Sequence, residues 1–256
     1  MSSNDWLSIR EAMDFRFRSL PLARKFMKSA VERHLIVDLG CGTGTNCRYL
    51  CRLWDVEVRW LCIDHDDRAL QTATKRLPAR LVRFKKADLA IDLDSIPFRD
   101  NISITASAFL DLTSQDWLQR FAARCERMPL LFSMTTSGGP IWEPNNDFDE
   151  AIGRCLEIHR TSDHGFGPAA GSNASKILAS DLVSRGCDVS CEASNWHLGN
   201  QDREAIEVLV GGIGRRALET LPREQVEKWM KLRRDQNRAG CLRLTIPHVD
   251  LLSLPC

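Results

Sequence analysis

The chain has 256 residues, 43% of them hydrophobic and 27% charged, with a formal net charge of +1. That length suits one domain with insertions and that composition a globular core, while near-neutral charge argues against a dedicated nucleic-acid binder. No apolar run reaches membrane-spanning length and the opening MSSNDWLSIREAMDF lacks a signal-peptide core, so a cytoplasmic location is expected. The ten cysteines then read as reduced thiols acting as small hydrophobes, and no metal-ligand spacing stands out among them.

Residues 1–33 read as an N-terminal helical cap, with Trp6, Leu7, Ile9, Met13 and Phe17 near helical spacing. Arg16, Arg18, Arg24, Lys25 and Lys28 read as solvated charge on its outside. The stretch His34–Leu50 is the one around which the rest of the chain is organised. Leu35, Ile36 and Val37 form a short apolar run, the mark of a buried parallel strand, and it ends in Asp38. Gly40, Gly42 and Gly44 come next, then a helix from Asn46. A dinucleotide fingerprint needs G-x-G-x-x-G, and its third glycine would fall on Thr45. Asp38 is also badly placed for a pyrophosphate and suits a ligand carrying an ammonium and a sulfonium.

Val56–Ile63 is predicted as a second strand, ending in Asp64, which lies 20 residues after Gly44. An acid there can accept both hydroxyls of a ribose. His65 is next, and Asp66 or Asp67 caps a helix over Arg68–Arg76. Leu81–Phe84 is a third strand leading to Ala87-Asp88-Leu89, where Asp88 is either a ligand-binding acid or a turn residue. Asn101–Ser107 is a fourth strand running into Ala108–Leu112, Thr113 opens a helix through Arg124, and Pro129–Met134 is a fifth strand. Strands alternating with helices predict a parallel, doubly wound α/β sheet with its ligand at the carboxyl ends of the strands.

Asp38-Leu39-Gly40-Cys41-Gly42-Thr43-Gly44 resembles motif I of the class I S-adenosylmethionine-dependent methyltransferases, and the resemblance extends over about Leu35–Thr136. It implies a Rossmann-like seven-stranded sheet, mostly parallel with an antiparallel last strand and helices on both faces, and S-adenosylmethionine as cofactor. Carried onto this chain, it implies cofactor contacts at Asp38, Gly40, Cys41, Gly42, Gly44, Asp64 and His65. Asp88 and Leu89 would meet the adenine, and Ser107 and the residues after it would line the transfer site. Arg10 or Arg16 of the cap would reach the cofactor's carboxylate, the sharper alternative to solvated charge.

Residues 34–256 read as one methyltransferase domain with helical insertions at about 137–171 and 200–239. Helices are predicted at Asp147–Arg160, Ser172–Arg185, Arg203–Glu219 and Pro222–Arg238, a sixth strand at Cys187–Ala193, and a seventh at Cys241–Ile246 beside it. The pattern HR-x-x-D-x-GFGPA-x-G with the closing HVDLLSLP is similar to a bacterial branch of the family and implies no particular acceptor. Asp111 and His164 are the candidate catalytic residues, and Trp142, His159 and Arg160 the candidate acceptor contacts. His159 also fits the apolar stripe of its helix with Ile152 and Cys155, and Arg160 also fits a pairing with Asp163. The segment Trp142–Gly171, with its glycines, is expected to lie as a lid over the acceptor. A small-molecule acceptor is expected. The alternatives are an RNA or protein acceptor, for which Lys231–Arg234 with Arg238 is the clearest basic track, and an inactive cofactor-binding subunit.

Overall fold

The computed structural model describes residues 3–54 and 56–255, with side chains from residue 9 onward. Trp6 and Leu7, predicted on the inner stripe of the first helix, therefore have side chains outside those described. The chain runs α1 (Ser3–Phe17), α2 (Leu20–Val31), β1 (Leu35–Leu39), α3 (Thr45–Arg52), β2 (Arg59–Asp64), α4 (Asp67–Arg76), β3 (Val82–Lys86), β4 (Ile102–Ser107), α5 (Gln115–Cys125) and β5 (Leu130–Thr136). It continues with β6 (Ile141–Glu143), α6 (Asp149–Arg160), α7 (Ala174–Ser184), β7 (Asp188–Ala193), β8 (Trp196–Leu198), α8 (Arg203–Ala217), α9 (Arg223–Ala239), β9 (Arg243–Ile246) and β10 (His248–Leu254).

Seven strands form one sheet in the order β3-β2-β1-β4-β5-β10-β7. The first five are mutually parallel, and β10 runs antiparallel to both its neighbours. Ile36, Val37, Leu39, Cys62 and Ile63 are inaccessible because helices cover both faces of the sheet, which is why these strands read as apolar runs rather than as alternation. One face packs on α5 and α7 through Trp117, Leu118, Phe121, Leu178 and Leu182. The other packs on α2, α3 and α4 through Leu22, Phe26, Leu50 and Leu70. Side chains set the helix starts: Asp66 accepts from the Arg68 amide at 2.8 Å, and Ser114, not Thr113, accepts from the Trp117 amide at 3.2 Å.

The predicted seventh strand is corrected. Arg243–Ile246 lies outside the large sheet, between β6 and β8 in a separate three-stranded antiparallel sheet. Pro247 interrupts the chain, and His248–Leu254 enters the large sheet between β5 and β7. The closing HVDLLSLP thus forms a strand paired on both sides, one place in from the β7 edge. Two smaller boundary shifts accompany this: β2 starts at Arg59 rather than Val56, and β5 continues to Thr136.

The segments around β6–α6 and α8–α9 share a third core of Trp142, Ile152, Trp196, Ile206, Val210, Val226, Trp229 and Leu244, on which α1 also rests through Ile9, Met13 and Phe17. Within it Trp142 meets Trp229 edge-on at 5.2 Å. The basic cluster on α9 belongs to this architecture. Arg233 is fully buried, pairs with the Asp149 carboxylate and donates to the Pro144 carbonyl at 2.7 Å. Lys231 and Arg238 pair with Asp235, and Arg234 with Glu207. A free basic track for a polymer is not what these residues form. Among the described residues no helix is long and apolar enough to cross a membrane, and nine described cysteines are free thiols.

Candidate functional site

Three left-handed glycines turn the chain out of β1, and they are not equivalent. A Cβ on Gly40 (φ +57°) would meet Phe109 Cδ2 at 2.7 Å, and one on Gly44 (φ +79°) would meet Leu77 Cδ1 at 2.6 Å. A Cβ on Gly42 (φ +51°) would have nothing within 4 Å. The protein's own packing therefore demands two of them, and the third opens onto empty space. Cys41, buried between, donates its amide to the Ile63 carbonyl at 3.0 Å and ties the turn to β2. Asp64, at the end of β2, accepts from the Gly42 amide at 2.7 Å and from the Asp66 amide at 2.9 Å. The His65 imidazole is exposed, 3.6 Å from the Asp64 carboxylate. Asp88 is exposed beyond β3 and accepts from the Ala90 amide at 3.0 Å. Leu89 is buried, its carbonyl accepting from Trp117 Nε1 at 2.8 Å. These predicted residues converge at the carboxyl ends of β1, β2 and β3.

A buried polar group fills the crevice between β1 and β4. Asp38 is inaccessible; its Oδ1 accepts from Asn46 Nδ2 at 2.7 Å, and its Oδ2 has no partner. Burial pushes its carboxyl up to about 7, against the lowering effect of the Asn46 bond and the Arg18 charge. Arg18 enters from the break between α1 and α2, donating to Asn46 Oδ1 at 2.7 Å and to the Ser107 hydroxyl. Its guanidinium lies 4.7 Å from the Tyr49 ring centroid, and its Nε has no partner. Sequence reasoning counted Arg18 only as outer charge. The available signal was Arg18-Ser19-Leu20-Pro21: Ser19 caps α2, accepting from the Leu22 amide at 3.1 Å, so the chain turns inward there. Buried Asp250 holds that turn, accepting from the Ser19 amide at 2.9 Å and the Met134 amide at 2.7 Å. Of the two residues expected to reach a ligand carboxylate, Arg10 stands 3.6 Å from Asp14 and Arg16 pairs with Asp202 at 2.7 Å.

Beyond β4, Ala108 takes a left-handed conformation (φ +52°) and delivers Asp111 from the short turn Leu110–Leu112. Burial raises the Asp111 carboxyl above the usual range, against the Thr136 hydroxyl and the charges of Arg10 and Arg160, and its Oδ1 has no partner. Thr136 pairs in register with His248 at the start of β10. His248 is buried with Nδ1 unpartnered, and burial first, then Arg10, push it down to about 3. Asp111 and His248 thus flank the end of β5, each offering an unsatisfied polar atom. His248 opens the HVDLLSLP motif singled out in the sequence, but no role was read for it because the last strand of the sheet was placed at Cys241–Ile246 instead.

The remaining candidates are disposed differently from expectation. Trp142, a candidate acceptor contact, is buried in the third core. His159 is half-exposed and meets His164 edge-to-face at 5.4 Å, so it is not a core histidine. Arg160 pairs with Glu157 at 2.5 Å rather than with Asp163. Asp163 accepts instead from the Gly165 amide at 2.7 Å and the Gly167 amide at 2.9 Å. Phe166 between those glycines sits 5.7 Å from both Phe109 and Trp117, inside the main core's edge. The glycine-rich segment is therefore stapled to the sheet by its phenylalanine, which argues against a freely hinged lid.

Residues 36–128 match the family model described as a methyltransferase domain. Solved structures show the same fold. The YcgJ protein from Bacillus subtilis is 14% identical, over 93% of this chain and 100% of that one, with a TM-score of 0.52. The cyclopropane synthase MmaA2 from Mycobacterium tuberculosis is 12% identical, over 90% of this chain and 82% of that one, with a TM-score of 0.50. No curated protein matches by sequence.

Proposed function

We propose that the chain is an S-adenosylmethionine-dependent methyltransferase that passes the cofactor's methyl group to a small acceptor enclosed at the ends of β4, β5 and β10, a reading supported by the match of residues 36–128 to a family model described as a methyltransferase domain. The observation that carries the reading is the open face of Gly42 beside three groups with the cofactor's complementary chemistry. Asp64 suits ribose hydroxyls, the unpartnered Asp38 Oδ2 suits an ammonium, and the unpartnered Arg18 Nε suits a carboxylate. The exposed Asp88 and the backbone at Leu89 complete the nucleoside end.

When bound, S-adenosylmethionine supplies an electrophilic methyl group on a positive sulfonium. The residues of the chain hold the acceptor in line and keep water out, which is most of what such a displacement needs. In this reading Asp111 takes a proton from an acceptor hydroxyl or ammonium at Oδ1, a role supported by that atom's lack of a partner and by the burial that makes the carboxylate more basic than a solvated one. A small acceptor is favoured because the basic residues of the α9 cluster are either buried, as Arg233 is, or paired with an acid beside them.

Calorimetry with S-adenosylhomocysteine and with NAD tests the cofactor assignment. Binding of the former, weakened by about 1.5–3 kcal/mol in Asp64→Ala, is expected, the scale of a hydrogen bond to a charged group. Tight NAD binding, or an Asp64→Ala variant that binds as well as wild type, would overturn it.

A further inference from the structure

The closing strand carries a buried acid whose hydrogen bonds reach the other end of the chain. Asp250, in the middle of β10, is 1% exposed, and its three donors come from three separate segments. The Ser19 amide donates to Oδ2 at 2.9 Å, while the Met134 amide and the Ser194 hydroxyl each donate to Oδ1 at 2.7 Å. The sheet is bent at this point. Val249 pairs with Thr135 and Leu251 with Phe132, so Ser133 and Met134 stand opposite Asp250 alone, a bulge in which Met134 is left-handed (φ +55°). At the α1–α2 break the Arg18 amide still donates to the Asp14 carbonyl at 3.2 Å, and the next amide, that of Ser19, goes to Asp250. The chain leaves α1 there, and the Arg18 side chain enters the crevice to meet Asn46 and Ser107. Asn46 in turn donates to Asp38 at 2.7 Å and to the Thr105 hydroxyl at 3.2 Å. Hydrogen bonds and one peptide link thus run from the closing strand to Arg18 and Asp38.

We propose that Asp250 is a positioning residue for the cofactor's amino-acid end: by fixing the Ser19 amide it holds the Arg18 guanidinium, with its unpartnered Nε, where the cofactor's carboxylate binds. This rests on the reading above that Arg18 meets that carboxylate. An arginine has many rotamers to lose, and one already held by its backbone and by Asn46 loses fewer of them when the ligand arrives. The effect is confined to one end of the ligand. Asp64, Asp88 and Leu89, which serve the nucleoside, take their own bonds from the turns after β1, β2 and β3 and from Trp117, and none of these bonds involves Asp250.

The test is calorimetry on the full chain with S-adenosylhomocysteine and with 5′-methylthioadenosine, which keeps the nucleoside and thioether but lacks the amino-acid end. Asp250→Ala should weaken the first about tenfold and the second by less than about twofold, and Arg18→Gln should do the same. In the Arg18→Gln background Asp250→Ala should weaken S-adenosylhomocysteine no further while still lowering Tm, because no guanidinium remains to be positioned. Leu182→Ala, at a buried position of α7, should lower Tm and leave both affinities as in wild type. Where Asp250→Ala does not fold, amide exchange on the wild type reads the same link: S-adenosylhomocysteine should slow exchange at Ser19, and methylthioadenosine should not. Equal losses for the two ligands in Asp250→Ala, additive losses in the double variant, or wild-type affinity in Asp250→Ala beside a selective loss in Arg18→Gln would overturn the proposal. So would Ser19 exchange that responds to both ligands or to neither. A wild type that does not bind S-adenosylhomocysteine, or an Arg18→Gln variant with unchanged affinity for it, would instead overturn the underlying reading.

Discussion

Substituting alanine at Gly42 and at Gly40 separates a glycine kept for a ligand from one kept for packing. At Gly42 the added methyl enters open space, so the ligand-free protein bears only the left-handed backbone cost at φ +51°. That cost is about 1–2 kcal/mol, or roughly 2–8 °C in Tm for a chain of this size. At Gly40 the same backbone cost is joined by a Cβ 2.7 Å from the Phe109 ring. Overpacking of that kind adds about 1–3 kcal/mol, so Gly40→Ala should be destabilised by about 2–5 kcal/mol in all. Cofactor affinity should take the opposite order. If the nucleoside lies against Gly42, the extra methyl displaces it and weakens binding by about 1–3 kcal/mol, roughly 5–150-fold. Gly40→Ala, where it folds, should bind nearly as wild type. Calorimetric unfolding and S-adenosylhomocysteine titration of the two variants measure both quantities. A Gly42→Ala protein that binds the cofactor product as tightly as wild type would refute the reasoning.

Asp111→Asn should reduce kcat by about 10²–10⁴-fold if the carboxylate acts as base, while cofactor affinity and Tm hold, since the change removes a buried charge; unchanged turnover on the true acceptor would assign the proton elsewhere. Asp38, whose folded pKa is raised to about 7, contributes stability that is present below its unfolded value and lost as pH rises through about 7. A ligand ammonium at Asp38 restores the charged form, with Arg18 and Asn46 beside it and Asp64 opposing. Binding of S-adenosylhomocysteine below about pH 7 should therefore release protons, giving a calorimetric enthalpy that varies with buffer ionisation in wild type and not in Asp38→Asn. Arg233→Ala empties a fully buried position and takes the guanidinium from the part-buried Asp149 carboxylate, which keeps only the Trp229 indole and Asn146 amide as donors, and should cost about 3–5 kcal/mol in denaturant unfolding; a loss within about 0.5 kcal/mol would refute that.

The first half of the molecule was legible in the sequence because its signals are local. Three glycines, a strand-ending acid before them and another after the next strand are set by backbone geometry over a few residues, and each was found where the sheet places it. The apolar runs of β1 and the start of β5 were equally plain, since a strand covered on both faces need not alternate, while β4 alternates Ile102, Ile104 and Ala106 with the small polar Ser103, Thr105 and Ser107 and is still buried through Ala106. What the sequence could not supply was partnership across distance. Arg18 and Arg16 look alike as basic residues of one cap, yet one is drawn between β1 and β4 by the Ser19–Asp250 bond and the other is held outside by Asp202. Arg243–Ile246 and His248–Leu254 are both plausible strands, and only pairing with β6 and β8, or with β5 and β7, assigns them. That assignment brings His248 beside Thr136 at the end of β5. Which of three left-handed glycines is left open was decided by Phe109 and Leu77, tens of residues away, because a Cβ is excluded by whatever packs there and not by the turn alone.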